Sequence, residues 1–286
     1  MNKLKKALKR LESLLRLAGE LFLRRWVWKN RDYQPFIILG AGRTGTNLLI
    51  QYLRSHPGIV CYNEVFHLHR PLYGYAHLDH SLKERGDRLR KQSAARFLEQ
   101  YVFCPRSAKV KATGFKYIYW HGEGEGWQQN NNAAVLGIAG LKVLHLRRRN
   151  KLDQFVSEKV ARQQKSWSSE QPAGANNTRI AVDPEEFKAF VPRIKALEEK
   201  YEALFRHMPM HSLYYEDLVQ KPREEMDAVF TFLGLEKHPV QTRTNKLITI
   251  PRHSLIENHE ALARQFKDTP FAPFLEEDTR PAAADH

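Results

Sequence analysis

Apolar and polar positions along the chain follow three different rhythms. The first stretch sets Leu4, Leu8, Leu11, Leu15, Ala18 and Phe22 at helical spacing, with Leu14 and Leu21 beside them and Trp26 and Trp28 at its end. From Pro35 onward, short continuous apolar runs take over. Phe36 to Leu39, Ile59 to Tyr62 and Leu141 to Leu146 have the length and content of strands buried on both faces. Lys109 to Trp120 alternates before an apolar run and reads as another strand, as does His211 to Tyr215. Between the strands lie helical patterns. Thr46 to about Ser55 stops before the breaker cluster His56-Pro-Gly58, and residues 79 to 110 are charged and helical in tone. Pro184 to Met208 is capped by Asp183 with proline at the first position, and Pro222 to Leu233 and Ile256 to Phe266 follow. Strands alternating with helices predict an α/β domain with a central parallel sheet.

One stretch organises the rest: Pro35-Phe-Ile-Ile-Leu-Gly-Ala-Gly-Arg-Thr-Gly-Thr-Asn-Leu-Leu-Ile50. A short strand enters a turn that Gly40, Gly42 and Gly45 permit, and Thr46 opens a helix. The free N–H groups of that first turn, reinforced by the helix dipole, suit a phosphate or a sulfate. A nucleotide triphosphatase loop of the form G-x-x-x-x-G-K-S/T would place a lysine on the outer phosphates and a hydroxyl on magnesium. Here Thr46 and Asn47 follow the second glycine, and the cation, Arg43, lies inside the loop. The plain alternative is a strand-turn-helix with ordinary packing glycines. Downstream, Glu64 closes the second strand at its carboxyl end, the edge at which open α/β sheets bind ligands. Glu123 and Glu125 sit in a flexible glycine loop, which cannot hold an acid and a nucleophile at fixed separation, so they read as surface charges.

Charge changes the picture at the amino end. Of a net +14, more than half lies in residues 1–31, where ten basic residues face only Glu12 and Glu20. The chain therefore divides into a basic amphipathic helical arm, 1–31, and one domain, 32–286. Charges interrupt the arm too often for a secretory signal or a membrane span. It lies on an anionic membrane surface, or it packs on the domain or on a second subunit of a homo-oligomer. Two cysteines, Cys61 and Cys104, fit a reducing compartment as buried thiols, which places the protein in the cytoplasm, peripheral at the inner face of the cell membrane if the arm binds there.

Arg43-Thr-Gly-Thr-Asn47 resembles the 5'-phosphosulfate loop of the sulfotransferases, in which an arginine or lysine precedes a Ser/Thr-Gly-Ser/Thr segment. Leu141-Lys-Val-Leu-His-Leu-Arg-Arg-Arg-Asn150, with Ser157 on the helix after it, resembles the family's 3'-phosphate site, a strand-ending arginine and a serine eight residues later. By that spacing the pair is Arg149 and Ser157. Glu64, after the loop, its helix and a His-Pro turn, matches the glutamate base of carbohydrate sulfotransferases. Val160 to Trp167 resembles the acceptor loop of the bacterial trehalose and nodulation-factor enzymes. Tyr215 to Pro222 and Phe232 to Leu235 are also family-like and take packing roles. The carboxyl end departs from the cytosolic members, which close an Arg-Lys-Gly loop over the nucleotide; Arg243, Lys246 and Arg252 occur there instead.

The resemblance implies a three-layer P-loop-type α/β domain using 3'-phosphoadenosine 5'-phosphosulfate (PAPS) as co-substrate, without a metal. Gly42, Arg43, Thr44, Gly45, Thr46, Asn47, Arg149 and Ser157 would bind it. Glu64 and Arg43 would be catalytic, and His67 and Trp167 would face a carbohydrate or glycolipid acceptor, His67 also being the rival base. Two other classes stand beside this one. A P-loop nucleotide kinase needs the missing lysine and magnesium ligands. A basic nucleic-acid or membrane-binding protein needs aromatics spread among its cations on one face, whereas the excess here sits in the arm, so no nucleic-acid partner is expected.

Overall fold

Strand β1 (Gln34–Gly40) carries Phe36 to Leu39 wholly buried, as a strand covered on both faces must. The computed structural model describes residues 28–68, 80–163, 179–240 and 255–276. In it β1 is the centre of a five-stranded sheet ordered β2-β3-β1-β4-β5, with β2 (Ile59–Tyr62), β3 (Ala112–Ile118), β4 (Lys142–Arg147) and β5 (Met210–Tyr214). Every pairing is parallel.

Successive β1 side chains point to opposite faces, and each face has its own core. Ile37 and Leu39 join Leu152, Phe155 and Val156 of α5 (Lys151–Gln163), Phe187, Ile194 and Tyr201 of α6 (Pro184–Leu204), and Phe266 of α9 (His259–Phe266). Phe36 and Ile38 join Leu49 and Leu53 of α1 (Thr46–Ser55), Leu218 of α7 (Tyr215–Gln220), and Met226 and Phe230 of α8 (Pro222–Leu233). Helices therefore cover both faces, giving three layers.

The expected elements form, with shifted ends. Residues 79 to 110 resolve into α2 (His80–Gln92), α3 (Ala94–Phe97) and one wide turn, Leu98–Val102, followed by extended chain. Pro184 opens α6, and the Asp183 carboxylate accepts from the amides of Glu185 and Glu186, as its cap position predicts. Cys61 and Cys104 are buried free thiols, and Glu123 is exposed and ion-paired with Lys200. Most of the arm, with Trp26, lies outside the described residues. Asn30, which charge counting put in that arm, is tied to the domain: it exchanges backbone hydrogen bonds with Arg106, and its amide donates to the carbonyls of Ser107 and Val110.

Parallel register decides where the chemistry can be. Gly40 stands opposite Ile118 on one side and Leu146 on the other, and Tyr62 opposite Phe115. The loop after Gly40, the residues from Tyr119, the arginines from Arg147 and the turn from Asn63 thus all leave the sheet at one edge.

Candidate active site

The loop at that edge has an unusual backbone. Arg43 has φ 63 and Gly45 φ 89, both left-handed, on either side of a buried Thr44 whose hydroxyl donates to the Ala41 carbonyl at 2.9 Å. A side chain at Gly45 would be strained, and its Cβ would lie 2.3 Å from the ring of Tyr215. Gly40 is equally closed, because a Cβ there would lie 2.6 Å from the Leu146 carbonyl oxygen. No side chain caps α1, so the first-turn amides keep their capacity for an anion.

Arg43 donates from Nε to the Ser157 hydroxyl at 2.9 Å, joining two residues 114 apart in sequence. Burial and the neighbouring Arg148 charge both lower the pKa of its guanidinium, the signature of a cation placed where an anion would relieve it. Arg148 is itself buried: one nitrogen lies 3.4 Å from the Arg43 carbonyl, another 3.2 Å from Asp153, and its plane sits 4.6 Å from the Tyr215 ring. Gln154 donates to the Gly42 carbonyl at 2.9 Å and fixes the loop to α5.

Arg149 goes elsewhere. Its guanidinium forks onto both oxygens of Asp217 at 2.6 Å, 4.0 Å from the Tyr214 ring, with half its side chain in solvent. Ser157 accepts from Arg43, while Arg148, the first residue after β4, is the arginine beside the loop. The buried carboxylate of Glu216 explains the split, because it accepts from the amides of both Arg149 and Asn150 at 3.1 Å and so fixes the turn between β4 and α5.

On the other side of the loop, Glu64 has a partner for each oxygen. Lys116 Nζ lies 2.7 Å from Oε1, and His121 Nε2 lies 3.4 Å from Oε2. Burial by itself would raise this carboxyl, but the His121 hydrogen bond and the Lys116 charge overcome it and hold Glu64 well below the usual carboxylate range. His121 is buried, which lowers its pKa despite Glu64. Its Nδ1 accepts from the Ile118 amide at 3.3 Å, so the neutral ring carries its proton on Nε2, toward Glu64. Lys116 is also 3.3 Å from the side-chain oxygen of Asn47, so one ammonium links Glu64 to the loop. His67 lies in the same turn, its amide donating to the Glu64 carbonyl at 3.2 Å, and its charge would further lower His121. Trp120 joins from β3's end, its indole nitrogen 3.6 Å from where a Gly42 Cβ would be.

The structure thus gathers Gly42 to Asn47, Ser157, Glu64 and His67 at one edge and turns Arg149 aside. Trp167, Arg243, Lys246 and Arg252 lie outside the described residues. Lys116, His121 and Trp120 were not singled out by the sequence, and Arg148 stood there only as a neighbour of Arg149. A lysine inside an otherwise apolar strand is the one signal that could have marked Lys116, since a buried ammonium needs a partner.

Two family models and several known proteins are similar to this chain. A family model described as "Sulfotransferase family" matches residues 35–127, and one described as "Stf0 sulphotransferase" matches 126–266. Nodulation protein H of Rhizobium tropici is 27% identical over 253 residues, 86% of this chain and 94% of that protein. Among solved structures, a sulfotransferase from Alicyclobacillus acidocaldarius is similar at 17% identity and TM-score 0.44, covering 84% of this chain and 92% of that one. The sulfotransferase domain of the curacin biosynthetic pathway is similar at 16% identity and TM-score 0.48, covering 89% and 95%.

Proposed function

The chain belongs to the sulfotransferases, and on that premise we propose that it moves a sulfuryl group from PAPS to a hydroxyl of a carbohydrate or glycolipid, with Glu64 as the base. The observation that carries this reading is Lys116, shared between Glu64 and the loop residue Asn47. The residues fit the donor's charges. The uncapped amides of α1 and the Arg43 and Arg148 guanidiniums offer donors for its 5' end, and Ser157 offers a hydroxyl. Arg149 reaches a 3'-phosphate only by leaving Asp217. That pair is half in solvent, where such bridges are worth about 0–1 kcal/mol, so a doubly charged phosphate competes for it readily.

The donor supplies an activated sulfuryl group on a phosphate that departs without a metal. The chain's part is charge and proton handling. Arg43 and Arg148 lie where negative charge gathers in the loop. Glu64 accepts the acceptor's proton on the oxygen that faces Lys116 or His121. A carboxylate so well stabilised is a weak base while Lys116 holds it, and an anion in the loop competes for the same ammonium through Asn47's side of the site. His121, neutral with its proton on Nε2, keeps Glu64 oriented. The carbohydrate acceptor is supported by the Glu64 pattern and by the relation to a nodulation protein.

Incubation with labelled PAPS and a panel of trehalose, soluble oligosaccharides and extracted glycolipids tests the reading. The expected result is label on a sugar hydroxyl without added magnesium. Phosphoryl transfer from ATP with magnesium, and no sulfuryl transfer, would overturn it in favour of a kinase.

A further inference from the structure

Arg90 on α2 is one of the largest fully buried side chains in the protein, 1% exposed. Its Nη1 donates to two main-chain carbonyls, Val65 at 3.0 Å and His67 at 2.7 Å, and its Nη2 pairs with Asp87. Its plane lies 4.6 Å from the Trp127 ring, and its Nε is buried without a partner. Burying a guanidinium with one donor unmatched is a costly way to satisfy two carbonyls. What the group offers beyond a neutral donor is a charged nitrogen held on two carbonyls of one turn while its twin is anchored on Asp87.

Those two carbonyls lie in the turn that Glu64 begins. The turn Glu64 to His67 closes on itself through the His67 amide and the Glu64 carbonyl, and Arg90 takes the carbonyls at its second and fourth residues. Val65 and Phe66 bury their side chains in the core, Phe66 against Phe97, Phe115 and Tyr117, which fixes the turn's apolar side. We propose that Arg90 is a positioning residue for the transfer reaction, holding this turn at the angle from which Glu64 reaches Lys116 and His121 together. The inference deepens the sulfotransferase reading and rests on it for the role of Glu64. Arg90 touches no reacting atom; it acts through the main chain. Glu64 has its two oxygens on partners from β3 and from the turn after it, at 2.7 and 3.4 Å, and a tilt of the turn by about 1 Å loses one of them. The titratable and charged groups facing this turn are Lys116 from β3, His121 after it, His67 within it, and Arg90 and Asp87 from α2.

The test follows the Glu64 carboxyl by carbon NMR against pH in the wild type, Arg90→Gln and Arg90→Met, with the affinity for 3'-phosphoadenosine 5'-phosphate measured on each. In the wild type the Glu64 resonance should stay still to the acid limit of the fold. In Arg90→Met it should titrate in the ordinary range, about pH 4 to 5, with nucleotide affinity within about twofold of wild type. A purely structural arginine would lower the melting temperature and leave Glu64 untitrated in the folded variants, which overturns the proposal. Should Arg90→Met not fold, Arg90→Gln decides alone, since its shorter amide stops where the arginine's Nε stands and cannot reach the two carbonyls, and an unmoved Glu64 in it is the overturning result. Failure of the wild type to bind the nucleotide would remove the donor reading and leave the titration to judge Arg90 by itself.

Discussion

Glu64 is where the reading is most exposed to a single substitution. Glu64→Gln keeps the size and an acceptor oxygen yet cannot take a proton, so turnover should fall about 10²- to 10⁴-fold while the affinity for 3'-phosphoadenosine 5'-phosphate stays near normal. Near-full activity at saturating acceptor would move the base to His67, and His67→Asn would then be the inactive variant. Stability carries the same signature. The folded carboxyl is held below its unfolded value, so its contribution is fully present above the unfolded value near pH 4.3 and is lost as pH falls toward the folded one. The stability difference between wild type and Glu64→Gln should therefore shrink below about pH 4, and a difference that grew on acidification would contradict the Lys116 pairing. The arginines separate in their own way. Arg148→Ala should weaken the nucleotide by about 1–3 kcal/mol, several-fold to a hundredfold. If Arg149 also swings to the 3'-phosphate, Arg149→Ala weakens it comparably and Asp217→Asn, which frees the guanidinium, tightens it. An Asp217→Asn variant no tighter than wild type, with Arg149→Ala unchanged, would leave Arg148 as the nucleotide's ligand after β4.

At the scale of elements, α1 and its loop show what a sequence can specify. The apolar run, the glycines and the His56-Pro-Gly58 stop are local signals, and the strand and helix begin and end within a residue or two of them. Gly45 is different, because its neighbour Tyr215 is 170 residues away and only the folded sheet brings α7 against the loop. Gly45→Ala should cost about 1–2 kcal/mol for the left-handed backbone, plus the collision with the Tyr215 ring. Gly45→Ala with Tyr215→Ala should recover the collision's share of melting temperature and nucleotide binding and keep the backbone's share; equal losses in single and double variants would show that Tyr215 gives way unaided. The same distinction explains the rest of the site. Glu64 was legible from its place after a strand. Its partners Lys116 and His121 were not: a lysine in an apolar strand signals only that its ammonium needs some partner, and neither it nor the histidine beside the glycine-rich turn points to a carboxylate some fifty residues earlier in the chain. The Arg149 and Ser157 spacing was legible too, but not that Arg149 rests on Asp217 while Arg148 lies against the loop, because the buried Glu216 that fixes their turn comes from another element.

The whole molecule divides its charge from its chemistry. More than half of the net +14 precedes Asp32, while the site's cations Arg43, Lys116 and Arg148 are few, half-buried or buried, and each already engaged. Among the described residues no helix is long and apolar enough to cross a membrane. A basic amphipathic arm beside a lipid-linked acceptor would hold the enzyme at the surface where its substrate lies, with affinity set by buried apolar area and by attraction to anionic lipid. Asn30's bonds to Arg106, Ser107 and Val110 fix where to cut: removal of residues 1–27 spares them, whereas a cut after residue 30 would strip donors and acceptors from the start of the domain. The truncated protein should keep its melting temperature and its affinity for 3'-phosphoadenosine 5'-phosphate, and should lose binding to vesicles of anionic lipid at low salt that the intact chain shows. Adding salt should release the intact chain from those vesicles, because attraction between exposed charges is screened within about 10 Å at 0.1 M. Truncation that unfolds the domain or changes its oligomeric state would make the arm a packing element, and an intact chain that ignores anionic vesicles would remove the membrane from its function.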